Sequence, residues 1–302
     1  PGGRLVYSTC SMNPIEDEAV VAHALQVNAS PPPSSPPLAV AIPGCLGDRK
    51  AFEAELDSLR DQLDEWQRAL YAERRRSLLI VLQAMDAGGK DSTIRKVFRG
   101  INPQGTHVAS FKNPTELERQ HDFLWRIHKQ VPAAGMIGIF NRSHYEDVLV
   151  VRVDRIFPES TWQARFEQIN NFEAQLAASG TTILKFFLHI SPEEQAERFR
   201  DRLRKPEKNW KFSRGDLEKR RQWYDYQQAF QEMLEKCTTE IAPWHVIPAD
   251  RKWYRNTVIA RTIVSTLEAI NPQYPTTDED FTGITIADSI EGGSTDPQRD
   301  GG

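Results

Sequence analysis

The chain has 302 residues, 39% of them hydrophobic, and a formal net charge of −4. That length suits one large or two ordinary domains with a real core, and its three cysteines (Cys10, Cys45, Cys237) exclude a disulfide framework or a zinc spacing. No apolar run reaches the roughly 18 residues of a membrane helix, and the start lacks a signal peptide's basic and apolar regions, so a reducing cytoplasmic setting is expected.

Residues 1–29 form one compositional unit, and "SPPPSSPP" (Ser30 to Pro37) opens a stiff proline/serine linker over 30–47. From Asp48 to Arg76 the apolar residues Phe52, Leu56, Leu59, Leu63, Trp66 and Leu70 recur at threes and fours, which predicts an amphipathic helix. Short apolar runs then alternate with helical stretches. The strands expected are Leu78–Gln83, Thr106–Phe111, Met136–Phe140, Thr181–Ile190 and His245–Pro248. Asn113-Pro114-Thr115-Glu116 and Ser191-Pro192-Glu193-Glu194 each read as an N-cap, a first-turn proline and an acid. Such alternation means a parallel sheet covered on both faces, with ligands beyond the carboxyl ends of its strands. Residues 273–302 are expected to be a disordered acidic tail: from Thr276 onward there are seven acids and one arginine.

The stretch "LLIVLQAMDAGGKDSTIRKVF" (Leu78–Phe98) has the layout of a phosphate-binding loop: strand, small-residue turn, lysine, helix. Gly88 and Gly89 allow backbone N–H groups to approach phosphate oxygens, and Lys90 would bridge phosphates as a point charge. The plain alternative is a glycine turn with a surface lysine. The usual G-x-x-x-x-G-K-[ST] formula fails at Ala84 and at Asp91, where a metal-binding hydroxyl is expected. Asp86 is then the better metal candidate, unless it only bonds nearby backbone as a turn aspartate.

"MIGIFNRSHYEDVLVVRV" (Met136–Val153) is a second buried strand running into polar residues. Asn141 stands where an acid would hold the metal, and can still orient water. Arg142 could clamp a phosphoryl group bidentately. Glu146 and Asp147 are accessory candidates or solvated helix acids. Arg198 to Arg221 carries eleven Lys/Arg and four Asp/Glu, a net of +7 in a chain whose remainder sums to −11. Two helices broken by Lys205-Pro206 and Arg214-Gly215 would make a cationic lid, with phosphate-binding candidates from Arg198 onward. Its aromatics Phe199, Trp210, Phe212 and Trp223 are spaced as helix core rather than as stacking platforms.

The segments "LQAMDAGGKDSTIRKVFRGINPQG", "SFKNPT", "DFLWR", "GIFNRSHYEDVLVVRV", "RLRKPEKNWKFS" and "APWHVIPADRKWYRN" together resemble polyphosphate kinase family 2, over residues 48–272. Asn141-Arg142-Ser143 is similar to the third class of that family, which phosphorylates nucleoside mono- and diphosphates. The resemblance implies a P-loop kinase-like α/β fold with a helical lid. Its activity would be reversible phosphoryl transfer from inorganic polyphosphate to AMP or ADP, with Mg²⁺ or Mn²⁺ as metal. It implies Asp86 and Lys90 as the Walker A pair, Asp86 as metal ligand, and Asn141 and Arg142 as the Walker B pair. Arg202 would act from the lid, with Lys205, Lys208 and Lys211 along the polyphosphate chain. Asp91 is usual in this class; Gly88 departs from the commoner alanine. A homo-oligomer without membrane or nucleic-acid partners is also implied.

"GGRLVYSTCSMNPIEDEAVV" (Gly2–Val21) is similar to a motif of Sun-family RNA cytosine-5 methyltransferases, in which the cysteine corresponding to Cys10 is catalytic. With no cofactor loop or second cysteine, residues 1–29 are expected to be a non-functional fragment. Two alternatives stay open: a nucleotide kinase using a nucleoside triphosphate donor, and an RNA-binding or RNA-modifying protein.

Overall fold

The computed structural model describes residues 6–7 and 48–286. A two-residue strand, β1 (Val6–Tyr7), stands apart from the rest in sequence. Helix α1 (Arg49–Glu73) begins where Asp48 accepts a hydrogen bond from the Lys50 amide, and it stops where Arg74 turns left-handed at φ 55°. Phe52, Leu56, Leu59, Leu63 and Leu70 form its buried stripe, with Trp66 partly buried beside them. This is the periodicity expected from the sequence.

Next come β2 (Ser77–Gln83), α2 (Lys90–Val97), β3 (Thr106–Ser110), and the single-turn helices α3 (Glu116–Arg119) and α4 (Trp125–His128). They are followed by β4 (Ile137–Asn141), α5 (Glu146–Val153), α6 (Glu159–Ala178) and β5 (Thr181–His189). The basic segment forms α7 (Pro192–Arg204), α8 (Pro206–Asn209) and α9 (Arg214–Arg221), so it holds three helices where two were expected. Then α10 (Trp223–Cys237), β6 (Trp244–Pro248) and α11 (Lys252–Ile270) complete the fold. Each expected strand is found to within one residue at either end. Ser191 caps α7 as anticipated, whereas the cap before α3 is Thr115 rather than Asn113. The Thr115 hydroxyl and the Glu118 carboxylate close a reciprocal capping box, which shifts the start by two residues.

The strands lie in the order β1-β6-β5-β2-β4-β3, every pair parallel. Strand β2 is buried at every position, as the centre of a two-sided sheet must be. Its alternate residues serve two cores. Leu79 and Val81 pack with α5, α6 and α10, while Leu78, Ile80 and Leu82 pack with α1 and α11. Cover is incomplete at edge strand β3, where His107, Val108 and Ser110 are exposed. At the opposite edge Val6 and Tyr7 align with His245 and Val246, so two residues of the expected N-terminal unit extend the sheet. Residues 271–286 form no helix or strand. The rest of the expected tail, the linker and the Cys10 motif lie outside the described residues.

From β2 the chain moves outward to β3, returns to β4, and then crosses to β5 and β6 on the other side. That reversal opens a crevice beyond the carboxyl ends of β2, β4 and β5, where ligands of such sheets bind.

Within β6, burial and the charge of Lys185 push the His245 imidazole down to about 4. The unfolded chain takes up this proton near 6.5, so folding loses stability as pH falls from there towards 4. Between pH 7 and pH 5 the wild type should lose about 1–2 kcal/mol more than His245→Gln, read from urea denaturation at both pH values. Equal losses in the two proteins would contradict this role for His245.

Candidate active site

Strand β2 hands the chain to a tight loop, Ala84 to Gly89, and α2 begins at Lys90. Ala87 and Gly89 both take left-handed conformations, at φ 62° and 102°. For an alanine this costs about 1–2 kcal/mol, so other contacts must hold the turn. They come from α7. Gln195 Nε2 donates to the Asp86 carbonyl at 2.9 Å, and Arg198 Nη1 donates to the Ala87 carbonyl at 2.9 Å. At Gly88 a Cβ would lie 2.4 Å from Ala84 Cβ and 2.8 Å from the Met85 carbonyl. The loop therefore closes on itself more tightly than an alanine there would permit. Lys90 reaches back across it and donates to the Ala84 carbonyl at 2.8 Å. Burial, helped by the Arg142 charge, pushes the Lys90 pKa down, while Asp86, Glu146 and Asp91 oppose that shift.

The end of β4 faces this loop. Arg142 adopts a left-handed turn at φ 67°, its amide donating to the Leu82 carbonyl at 3.3 Å. Its guanidinium then meets Asp86 at 3.2 Å. Asn141 Nδ2 donates to Asp91 Oδ1 at 2.7 Å, and Lys211 lies 3.6 Å from the same carboxylate. Burial raises the Asp91 pKa, but the Asn141 amide, Lys211 and Lys90 outweigh it and the net shift is downward. Asp86, Lys90, Asp91, Asn141 and Arg142 thus gather at one crevice, as the sequence reading expected. Glu146, Lys219 and Tyr226 share its wall with Ala84, Met85 and Phe230.

In β5, Lys185 is buried with three acceptors: Glu173 Oε2 at 2.6 Å, Tyr145 Oη at 2.8 Å and the Cys237 carbonyl at 2.7 Å. Tyr145 and His144 both meet Glu173 Oε1, at 2.7 and 3.2 Å. These contacts hold the residues that follow Asn141 and Arg142 in a single arrangement.

Three expectations need correction. Arg198 is not a free phosphate ligand. Its guanidinium is taken by Glu194 and by the carbonyls of Ala87, Ala249 and Asp250, which makes it a brace between loop, α7 and the end of β6. Asp147 is neither a solvated acid nor part of the crevice wall. It is 7% exposed and lies between Arg126 and Arg165, at 3.3 and 3.2 Å. Burial raises its pKa against those two cations. Trp210, read as helix core, is 78% exposed, whereas Phe199 is buried. In the lid Arg202 donates to the Lys211 carbonyl and lies 3.5 Å from Asp216. Lys205 and Lys208 share Asp201, whose carboxyl they draw down to about 2. Gln195, Lys219 and Tyr226 were not anticipated. Their approach to the loop spans long sequence separations, and no local pattern marks it.

A parallel α/β sheet with a glycine loop, a lysine at the following helix start and an arginine on the next strand end defines a phosphate-loop protein of the kinase-like kind. The sequence profile of the family described as "Polyphosphate kinase 2 (PPK2)" matches residues 47–275, and the chain belongs to that family. It is 56% identical over 229 residues to the "AMP/ADP-polyphosphate phosphotransferase" of Meiothermus ruber, covering 76% of this chain and 85% of that one. It is 46% identical to the "ADP-polyphosphate phosphotransferase" of Rhodopseudomonas palustris, covering 72% and 79%. The crystal structure of polyphosphate kinase 2 from Arthrobacter aurescens TC1 superposes with a TM-score of 0.77 at 42% identity, over 85% of this chain and 93% of that one. The methyltransferase likeness of the first residues finds no support in these comparisons.

Because Asp147 neutralises one buried arginine, Arg126, and one half-buried arginine, Arg165, Asp147→Asn should destabilise the fold by about 3 kcal/mol in urea denaturation. Below the transition the variant should keep at least half the wild-type turnover. A catalytic Asp147 would instead lose turnover with stability unchanged.

Proposed function

We propose that this chain moves a phosphoryl group reversibly from inorganic polyphosphate to AMP or ADP, by in-line transfer with Mg²⁺. The observation that carries the reading is the convergence of Lys90, Arg142 and Asp86 on one crevice in a polyphosphate kinase 2 family member. The catalytic set is Asp86, Lys90, Asn141, Arg142 and Arg202. Transfer of this kind needs positioned cations and an excluded, fixed geometry rather than a covalent intermediate.

Among the described residues no cluster of three or more His, Cys, Asp and Glu could cage a metal. That suits Mg²⁺, which binds through one or two carboxylates and keeps waters and substrate phosphates as its other ligands. Asp86 would hold it, with Asn141 orienting its waters; Mn²⁺ accepts the same oxygen donors. Once bound, the metal supplies positive charge at the phosphate oxygens. Lys90 exchanges the Ala84 carbonyl for phosphoryl oxygens, and Gly88 and Gly89 let the loop amides approach them. Arg142 at the crevice, and Arg202 from the lid, would stabilise charge on the moving group.

Lys205, Lys208 and Lys211 receive the donor chain. Their pairs with Asp201 and Asp91 are partly exposed and screened by solvent, so a polyanion displaces them at little cost. Glu146, beside Asp86 in the crevice wall, is an accessory residue. Domain limits of 48–272 for the kinase, with a linker before it and an acidic tail after it, belong to the same proposal. So does a homo-oligomer in the cytoplasm. The free, buried Cys237 agrees with a reducing compartment, and no described helix is long and apolar enough to cross a membrane.

The test is ATP formation by the purified full chain from ADP, or ADP formation from AMP, with long-chain polyphosphate and Mg²⁺. Lys90→Ala should lower kcat by about 10³-fold while leaving the melting transition in place. Turnover only with a nucleoside triphosphate as donor would replace this reading with an ordinary nucleotide kinase. Tighter binding of RNA than of polyphosphate at matched salt would point to the RNA-binding alternative.

A further inference from the structure

Arg255 lies in the first turns of α11 and is completely buried. Its Nη2 donates to Ser92 Oγ at 3.0 Å and to Asn256 Oδ1 at 2.8 Å, and Nε donates to Asn256 Oδ1 at 3.1 Å. Nη1 has no hydrogen-bond partner among the described residues. It presses against the turn that opens α2: a Cβ at Gly89 would lie only 2.1 Å from Nη1 and 3.2 Å from Cζ. No side chain larger than hydrogen fits at 89 while the guanidinium stays where it is.

The charge of this guanidinium is unmatched. Among the described residues no carboxylate forms an ion pair with it, and Glu194, the acid that pulls on it, is already held by Arg198 at 2.7 Å. Burial, with the repulsion of Arg198, pushes the Arg255 pKa down to about 9, which leaves it a cation at neutral pH. Lys252, in the same turn of α11, is pushed down for the same two reasons, burial first and Arg198 second. A buried, unpaired cation costs folding free energy and persists where something else requires it. Here it sits at the N-terminus of α2, where orphan amides and the helix dipole already favour an anion.

We infer that Arg255 is a positioning residue of the phosphate loop, whose unmatched charge is balanced by the phosphoryl groups that bind at Gly89 and Lys90. It acts through its neighbours. The bond to Ser92 fixes the first turn of α2, and the guanidinium sets a positive potential directly behind Gly89. Nη1 is buried, so no direct contact with substrate is part of the inference. This rests on the phosphotransfer reading and adds to it a cation from the far end of the chain.

The experiment compares wild type, Arg255→Met and Arg255→Lys as full chains, using inorganic tripolyphosphate as the probe. Calorimetric titration gives Kd, and thermal unfolding with and without probe gives the ligand-linked rise in Tm. Removing an unmatched buried charge should leave Arg255→Met at least as heat-stable as wild type without the probe. Its Kd should rise about 10-fold to 100-fold, and most of the probe-linked rise in Tm should vanish. Arg255→Lys keeps the charge and should hold Kd within about fivefold of wild type.

A purely structural arginine predicts the reverse: lower Tm without probe and unchanged Kd. Arg255→Met binding within twofold of wild type therefore overturns the inference. If Arg255→Met does not fold, Arg255→Lys decides, and a Kd as weak as that of Lys90→Ala overturns it. Failure of the wild type to bind tripolyphosphate would bring down the phosphotransfer reading as well. Binding by wild type with an indifferent Arg255→Met brings down this inference alone.

Discussion

Repulsion among cations shapes the ground plan of the crevice. Lys90, Arg142, Arg198 and Arg255 converge on the loop between β2 and α2, and two acids, Asp86 and Glu194, pair with two of them. The strain is visible in Lys90 and Arg255, whose pKa values burial and a neighbouring arginine both push down. Each of these four side chains comes from a different element, namely α2, the end of β4, α7 and α11. The packed sheet and helices fix the backbone positions from which they reach the loop. A cation cluster fixed in advance is what charge development on a moving phosphoryl group needs, because no reorganisation is left to be done during the reaction.

The support around Lys185 of β5 is of a different kind. Lys185 fills all three donor positions with Glu173, Tyr145 and the Cys237 carbonyl. Burial raises the Glu173 pKa, but Lys185 and His144 outweigh it and the net shift is downward. Such a network contributes little net stability over apolar packing, yet breaking one member is costly. Tyr145 and His144, which follow the turn that carries Asn141 and Arg142, are held by this network. The left-handed conformation of Arg142 costs about 1–2 kcal/mol, which surrounding contacts must offset.

The lid divides into two parts. Helix α7 is bonded to the loop through Gln195 and Arg198 and belongs to the rigid body of the site. Beyond it, α8 is held by half-exposed lysine pairs with Asp201, whereas α9 is tied to α7 through Arg220, which donates to the Pro192 carbonyl and to Gln195 Oε1; Lys211, between the two helices, reaches back to Asp91 of α2. A polyanion entering between them would compete for those lysines first. The basic strip is therefore less uniform than its charge total suggests: some cations are braces, and others are exchangeable.

The sequence alone was sufficient for the strands, the amphipathic α1, the glycine loop and the placing of Asp86, Lys90, Asn141 and Arg142 at or beyond the carboxyl ends of β2 and β4. Those features rest on local periodicity and on turn chemistry, which act between residues close along the chain. Asp147, Arg198, Gln195 and Arg255 were misread or passed over for the opposite reason. Whether a charged residue is a solvated face, a brace or an unmatched buried cation depends on partners far away in sequence, such as Arg126 for Asp147, Ala87 for Arg198 and Ser92 for Arg255. Desolvation and pairing are properties of assembled surroundings, so only the packed fold could decide which cations bind substrate and which hold the loop that does.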